Sequence, residues 1–130
     1  MLHIDSLESM DEIISSLEKL SDNDQLNILR DTICNHKSII KETKILVNLY
    51  VQRDILGILN FNNKKYFDED LYKRYMQLML YDRNKKMLHK IINEFEDGGI
   101  FVAVGILHLI SEQGLLEGLS NQEYKLKVIY

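Results

Sequence analysis

Gly105-Ile106-Leu107-His108 is the stretch of this chain in which residue types and spacing offer the most chemistry. It follows the apolar run Ile100–Val104. A glycine at the end of such a run lets the backbone turn sharply or approach a ligand closely. An imidazole presented on that turn can bind a metal or carry a proton. Glu112 stands four residues after His108 and orients the imidazole if the intervening turn is helical. The same residues also suit a histidine that caps or packs a loop, and a carboxylate in the first turn of a helix is what helix electrostatics prefers. Because G-x-x-H is so short, the pattern alone favours the packing reading.

The other reactive side chains carry less. Cys34 is the single cysteine, so an intrachain disulfide and a cysteine-rich metal site are both excluded. It lies in a helical pattern with no activating partner nearby in sequence and is expected to pack. His3, His36 and His89 fall on or near polar faces with no ligand spacing among them. Met76, Met79 and Met87 recur at helical intervals and read as core filling. The seven tyrosines show no pattern suited to stacking on RNA.

These residues must be positioned by a chain of 130 residues, a length that suits one domain. Its apolar fraction of 45% supplies one core, and 28% charged residues is an ordinary globular composition. With a formal net charge of -4 and a pI near 5.5, nucleic acid is a poor partner. The short basic run Arg83, Lys85 and Lys86 reads as a solvated helix face. No apolar run approaches the ~20 residues of a membrane helix. The first residues lack the basic and apolar regions of a signal peptide. The chain as written therefore reads as cytoplasmic, a reading that changes if it belongs to a longer precursor.

Helical patterns dominate the first three quarters. Residues 2–7 alternate weakly and suggest a short strand. Ser9 and Glu12 form a capping-box pattern, followed by the apolar face of Ile13, Ile14, Leu17 and Leu20. Asp22, with Gln25 three residues on, marks a second helix through Leu26, Leu29 and Ile33. A third starts near Lys37, and a short fourth follows Arg53-Asp54. Residues 60–65 read as a loop. Asp68 then caps a long pattern from Leu71 to Phe95, one helix or two joined near Asp82-Arg83-Asn84. Gly98-Gly99 ends it.

The last third changes character. Ile100–Val104 suits a strand buried on both faces. Ser111 can cap a short helix carrying Leu115, Leu116 and Leu119, and residues 124–130 alternate as a second strand. Strand, helix, strand predicts a parallel βαβ unit with a right-handed crossover. The expected fold class is α/β and predominantly helical, with four to six helices and a small sheet. Residues 1–97 form the short strand and helical region, and residues 98–130 form the βαβ unit of the same domain.

The segment from Tyr81 to Leu119 resembles the C-terminal part of the TraB/PrgY/GumN family, which includes the Tiki proteases. The shared features are Asp82-Arg83-Asn84 on a helix, the Gly98-Gly99 turn, Phe101 to Gly105, His108-Leu109, and Gly114 to Leu116. Leu7-Glu8-Ser9 is similar to the family's Leu-Glu-Thr/Ser element, and the stretch from Asn48 to Leu59 to its Y-x-x-G-D-L segment. The likeness thus covers nearly the whole chain. Departures are Arg53 and Glu123 where glycine is usual, and Ile110-Ser111 where Pro-Gly is common.

The resemblance implies a metal-dependent peptidase centre. It makes His108 a catalytic or metal-ligating histidine and Glu8 a ligand or general base. Arg83 would stabilise developing negative charge, Asn84 would orient substrate or neighbours, and Gly105 and Glu112 would shape the substrate side. A divalent metal, Mn or Co, would activate water on a peptide or protein substrate. The family carries two G-x-x-H motifs, and this chain holds the second. The resemblance therefore implies half of a larger TraB/GumN-type domain, inactive alone and acting as a fragment, an oligomer or an interaction module. A complementary N-terminal half or a homodimer would complete it.

Overall fold

A computed structural model describes residues 4–62, 69–95 and 98–129. The chain divides into two compact units, 1–19 with 76–130, and 20–75.

Among its described residues, the unit of residues 20–75 consists of helices joined by short turns. Helix α2 runs Asp22–Cys34, α3 His36–Val51, α4 Ile55–Asn62 and α5 starts at Glu69 and ends at Met76, just beyond the unit's edge. Ser21, not Asp22, caps α2: its hydroxyl accepts from the Asp24 amide, and Asp22 moves into the first turn. Asp54 opens α4 by accepting from the Gly57 amide at 2.8 Å. Between α3 and α4 the chain turns through Arg53 at φ 58°, in the left-handed region. Arg74 grips Asp24 with two bonds of 3.0 and 2.7 Å, and this contact holds the Asp24 carboxyl below its usual range. Ile58 and Leu71 are fully buried, whereas Leu26, Leu29 and Ile33 of α2 stay exposed. The expected loop 60–65 begins later than the pattern suggests, because Asn60 to Asn62 are helical. Lys64, Lys65 and the expected cap Asp68 lie outside the described residues.

The other unit carries every candidate residue. Helix α1, Met10–Glu18, opens on the expected capping box: Ser9 accepts from the Glu12 amide at 3.2 Å, and the Glu12 carboxylate accepts from the Ser9 amide at 2.8 Å. The expected join near Asp82 exists, but it is a π turn over Gln77–Tyr81 leading into α6, Asp82–Phe95. Short helices α7, Ile106–Ile110, and α8, Leu115–Asn121, follow. Met87 and Ile91 of α6 and Leu115 of α8 form the core, with Leu7, Val102, Val104 and Leu109 packed around them.

The expected sheet is not formed among the described residues. Among the described residues there is no strand, so the short N-terminal strand and the parallel βαβ unit are both corrected: the described chain is all helical with extended linkers. The reason is pairing, since a strand is stabilised by its ladder and a lone one is not. Ile100–Val104 keeps a strand-like alternation. Val102 and Val104 turn toward the core, while Phe101, 94% exposed, points to solvent. The run is therefore buried on one side only, not on both. Residues 124–129 have no regular secondary structure and are exposed throughout, including Val128 and Ile129, while the Tyr124 ring stacks on Phe95 at 5.3 Å. Leu2, His3 and Tyr130, the outer ends of two expected strands, lie outside the described residues.

Candidate functional site

Residues 4–9 run back along α6 and deliver Glu8. Lys90 of α6 donates to the Ser6 carbonyl at 2.6 Å and pairs with Asp5 at 3.0 Å. Seven residues earlier on α6, Arg83 meets Glu8. Arg83 Nε donates to Glu8 Oε1 at 2.8 Å and Nη2 to Oε2 at 2.7 Å, a bidentate fork. Its Nη1 donates to the Met79 carbonyl in the π turn, at 3.0 Å. Both side chains are sheltered, Arg83 16% and Glu8 8% exposed.

Asn84, next in sequence, points about a quarter turn around the helix. It is 2% exposed and bonded at both ends of its amide: Nδ2 donates to the Gln113 carbonyl at 2.9 Å, and Oδ1 lies 2.6 Å from His108 Nδ1. His108 sits within α7 rather than on a loop turn. Partial burial pushes its imidazole pKa down, the Arg83 charge adds to this, and Glu8 opposes it. The two electrostatic influences tie His108 to the Arg83–Glu8 pair.

The remaining expected residues fall differently. Gly105 lies at φ -61°, ψ 143°, which any residue adopts, and a Cβ there would stand 3.7 Å from His108 Cδ2, an ordinary contact. Glycine is thus not required for the turn into α7. Glu112 is exposed and lies beyond α7, past Ser111, so the intervening turn is not one helix. Its charge bears instead on Tyr81, whose hydroxyl is pushed up by burial first and by Glu112 second. Ser111 ends α7 and does not cap the next helix: Gly114 holds that position, and the buried Ser111 hydroxyl has no partner among the described residues. Gly114 is needed where it stands, since a Cβ would press within 2.6 Å of the Leu109 and Ser111 carbonyl oxygens.

Sequence reasoning missed Tyr81 and Gln113. The first precedes Asp82-Arg83-Asn84 and ends the π turn, and π turns are frequent at functional sites. No periodicity marked it, because a π turn inserts one residue without changing composition. Gln113 has φ 56°, a conformation that its side chain does not advertise.

The donor set does not fit a metal by itself. Glu8 has both oxygens on Arg83, and His108 has one ring nitrogen on Asn84. Among the described residues no group of three or more His, Cys, Asp or Glu is placed to hold an ion, whereas catalytic zinc-type centres take three protein ligands.

Helix α6 thus presents Arg83 to Glu8 and Asn84 to His108. The model of the TraB/PrgY/gumN family matches residues 2–128. The chain belongs to the TraB/PrgY/gumN family. No curated protein and no solved structure matches it. No described helix is long and apolar enough to cross a membrane.

Proposed function

We propose that this chain is a half-site of the TraB/PrgY/gumN type, without hydrolytic activity alone, that works as an interaction module. One observation carries the reading. Each Glu8 oxygen accepts from the Arg83 fork and His108 Nδ1 is bonded to Asn84, which leaves His108 Nε2 without a partner among the described residues. Hydrolysis needs at least a nucleophile, a base and a stabiliser of the developing anion. His108 can serve as base and Arg83 as stabiliser, but the described residues supply no activated nucleophile and no metal set.

A second reading is favoured by the extended segments. Their backbone groups at residues 100–104 make no ladder, and Phe101, Val128 and Ile129 are exposed. A second copy or a complementary chain that paired with them would add groups beside His108, and a metal-dependent peptidase would follow. The readings separate on one experiment. The purified chain, loaded with Mn²⁺ or Co²⁺, is assayed on a peptide library while its bound metal is counted. No cleavage and no metal uptake are expected. Cleavage that His108→Ala abolishes without unfolding the chain overturns the proposal in favour of the peptidase.

A further inference from the structure

Asn84 sits between two groups of unequal freedom. On one side is the Gln113 carbonyl, a backbone oxygen that only accepts. The Asn84 atom 2.9 Å from it must therefore be the amide nitrogen, since the flipped amide would press oxygen on oxygen. The other end of the amide, Oδ1, then faces His108 Nδ1 at 2.6 Å. An amide oxygen also only accepts, so Nδ1 must carry a proton.

The carbonyl that starts this chain of constraints is itself held. Gln113 is left-handed at φ 56°, and its amide donates to the Glu117 carboxylate on α8 at 2.6 Å. The Gly114 amide closes the turn onto the Ser111 carbonyl at 2.8 Å, and Gly114 has no space for a side chain. Turn, amide and imidazole thus form one relay across α8, α6 and α7.

We infer that Asn84 is a positioning residue that fixes neutral His108 as the Nδ1–H tautomer and presents Nε2 as an unprotonated lone pair. The isolated imidazole side chain in water prefers the opposite tautomer, so the fold imposes this state rather than inheriting it. The Gln113 carbonyl and Glu117 act behind Asn84. The use of that lone pair, as base or as ligand, rests on the proposed half-site, but the tautomer does not. A chain found to cleave peptides would end the half-site reading and leave this one standing.

The test is the long-range ¹H–¹⁵N spectrum of the full chain labelled with ¹⁵N-histidine, recorded at about pH 8, where the ring is neutral. The expected signature for His108 is a pyrrole-like Nδ1 and a pyridine-like Nε2. A pyrrole-like Nε2 in the wild-type chain overturns the inference with no variant needed. In Asn84→Ala the ratio of tautomers should move toward Nε2–H by about three- to tenfold, the worth of one hydrogen bond. Because Asn84 is buried, the exposed Glu117→Ala is measured beside it, and the same shift is expected at smaller size. A ratio unchanged in folded Asn84→Ala, or in Glu117→Ala should the first variant not fold, also overturns the assignment.

Discussion

His108 owes its character to three neighbours, Asn84 on one ring nitrogen and the opposed charges of Arg83 and Glu8. Burial and Arg83 disfavour the imidazolium, so the folded pKa lies below the ordinary value near 6.5. The sign of the stability effect follows by linkage. Above about pH 6.5 neither state binds the proton and the contribution is fully present. As pH falls through that value the unfolded chain takes up the proton first, and stability is lost until the folded pKa is reached. Urea midpoints measured between about pH 8 and pH 5 should therefore fall more steeply for the wild-type chain than for His108→Gln. Equal slopes would show that the ring is not held neutral by the fold. His108, Glu8, Arg83 and Asn84 are candidates that the family likeness, rather than the spacing, singles out in the sequence. Their pairing was not legible there. Glu8 and Arg83 lie 75 residues apart, and nothing in either local pattern says that the glutamate meets a guanidinium. The partner foreseen for His108 was Glu112, four residues on. The one that holds it is Asn84, on another helix.

At the scale of elements, the caps and helices were largely readable because their signals are local. Ser9 and Glu12 meet as the capping box requires, and α6 ends before Gly98, which lies at φ 136°. The strands were not readable correctly, because an apolar run says that a segment will be buried or paired but not whether a partner exists. Val102 and Val104 found the core, and Phe101 found nothing. Two of the family departures do acquire a physical meaning. Arg53 and Glu123, where glycine is usual, both have positive φ, 58° and 65°. A residue with a Cβ is strained there by roughly 1 kcal/mol, and glycine gives back part of that through the entropy of the unfolded chain. Arg53→Gly and Glu123→Gly should each raise stability by about 0.5 kcal/mol in chemical denaturation. A loss at either position would mean that the side chain makes a contact worth more than the backbone strain. Gly114→Ala should act in the opposite sense, because carbonyl oxygens, not a flexible side chain, fill the space its Cβ needs.

Across the whole molecule, apolar side chains stay in solvent in both units. In the unit of residues 20–75 they include Leu26, Leu29 and Ile33 of α2, Ile40 and Val51 of α3, and Leu56 of α4. In the other they include Met10 on α1 and Ile4, Phe101, Val128 and Ile129 outside the helices. Apolar residues at helical spacing more often mark a core than an interface. Apolar surface of this kind marks interaction sites or association, and an unpaired extended edge is a template for another strand. The segment Ile100–Val104 has no charge or proline to discourage that pairing. Phe101 is the place to test it, because its side chain is 94% exposed and its loss removes nothing from the core. Phe101→Asp should leave the helical circular dichroism and the urea midpoint within about 0.5 kcal/mol of wild type. It should at the same time shift the concentration dependence of the mass measured by light scattering toward monomer. A wild-type chain that stays monomeric at high concentration would remove self-association as the route to a completed site. A complementary chain would then be the remaining way to cover that edge.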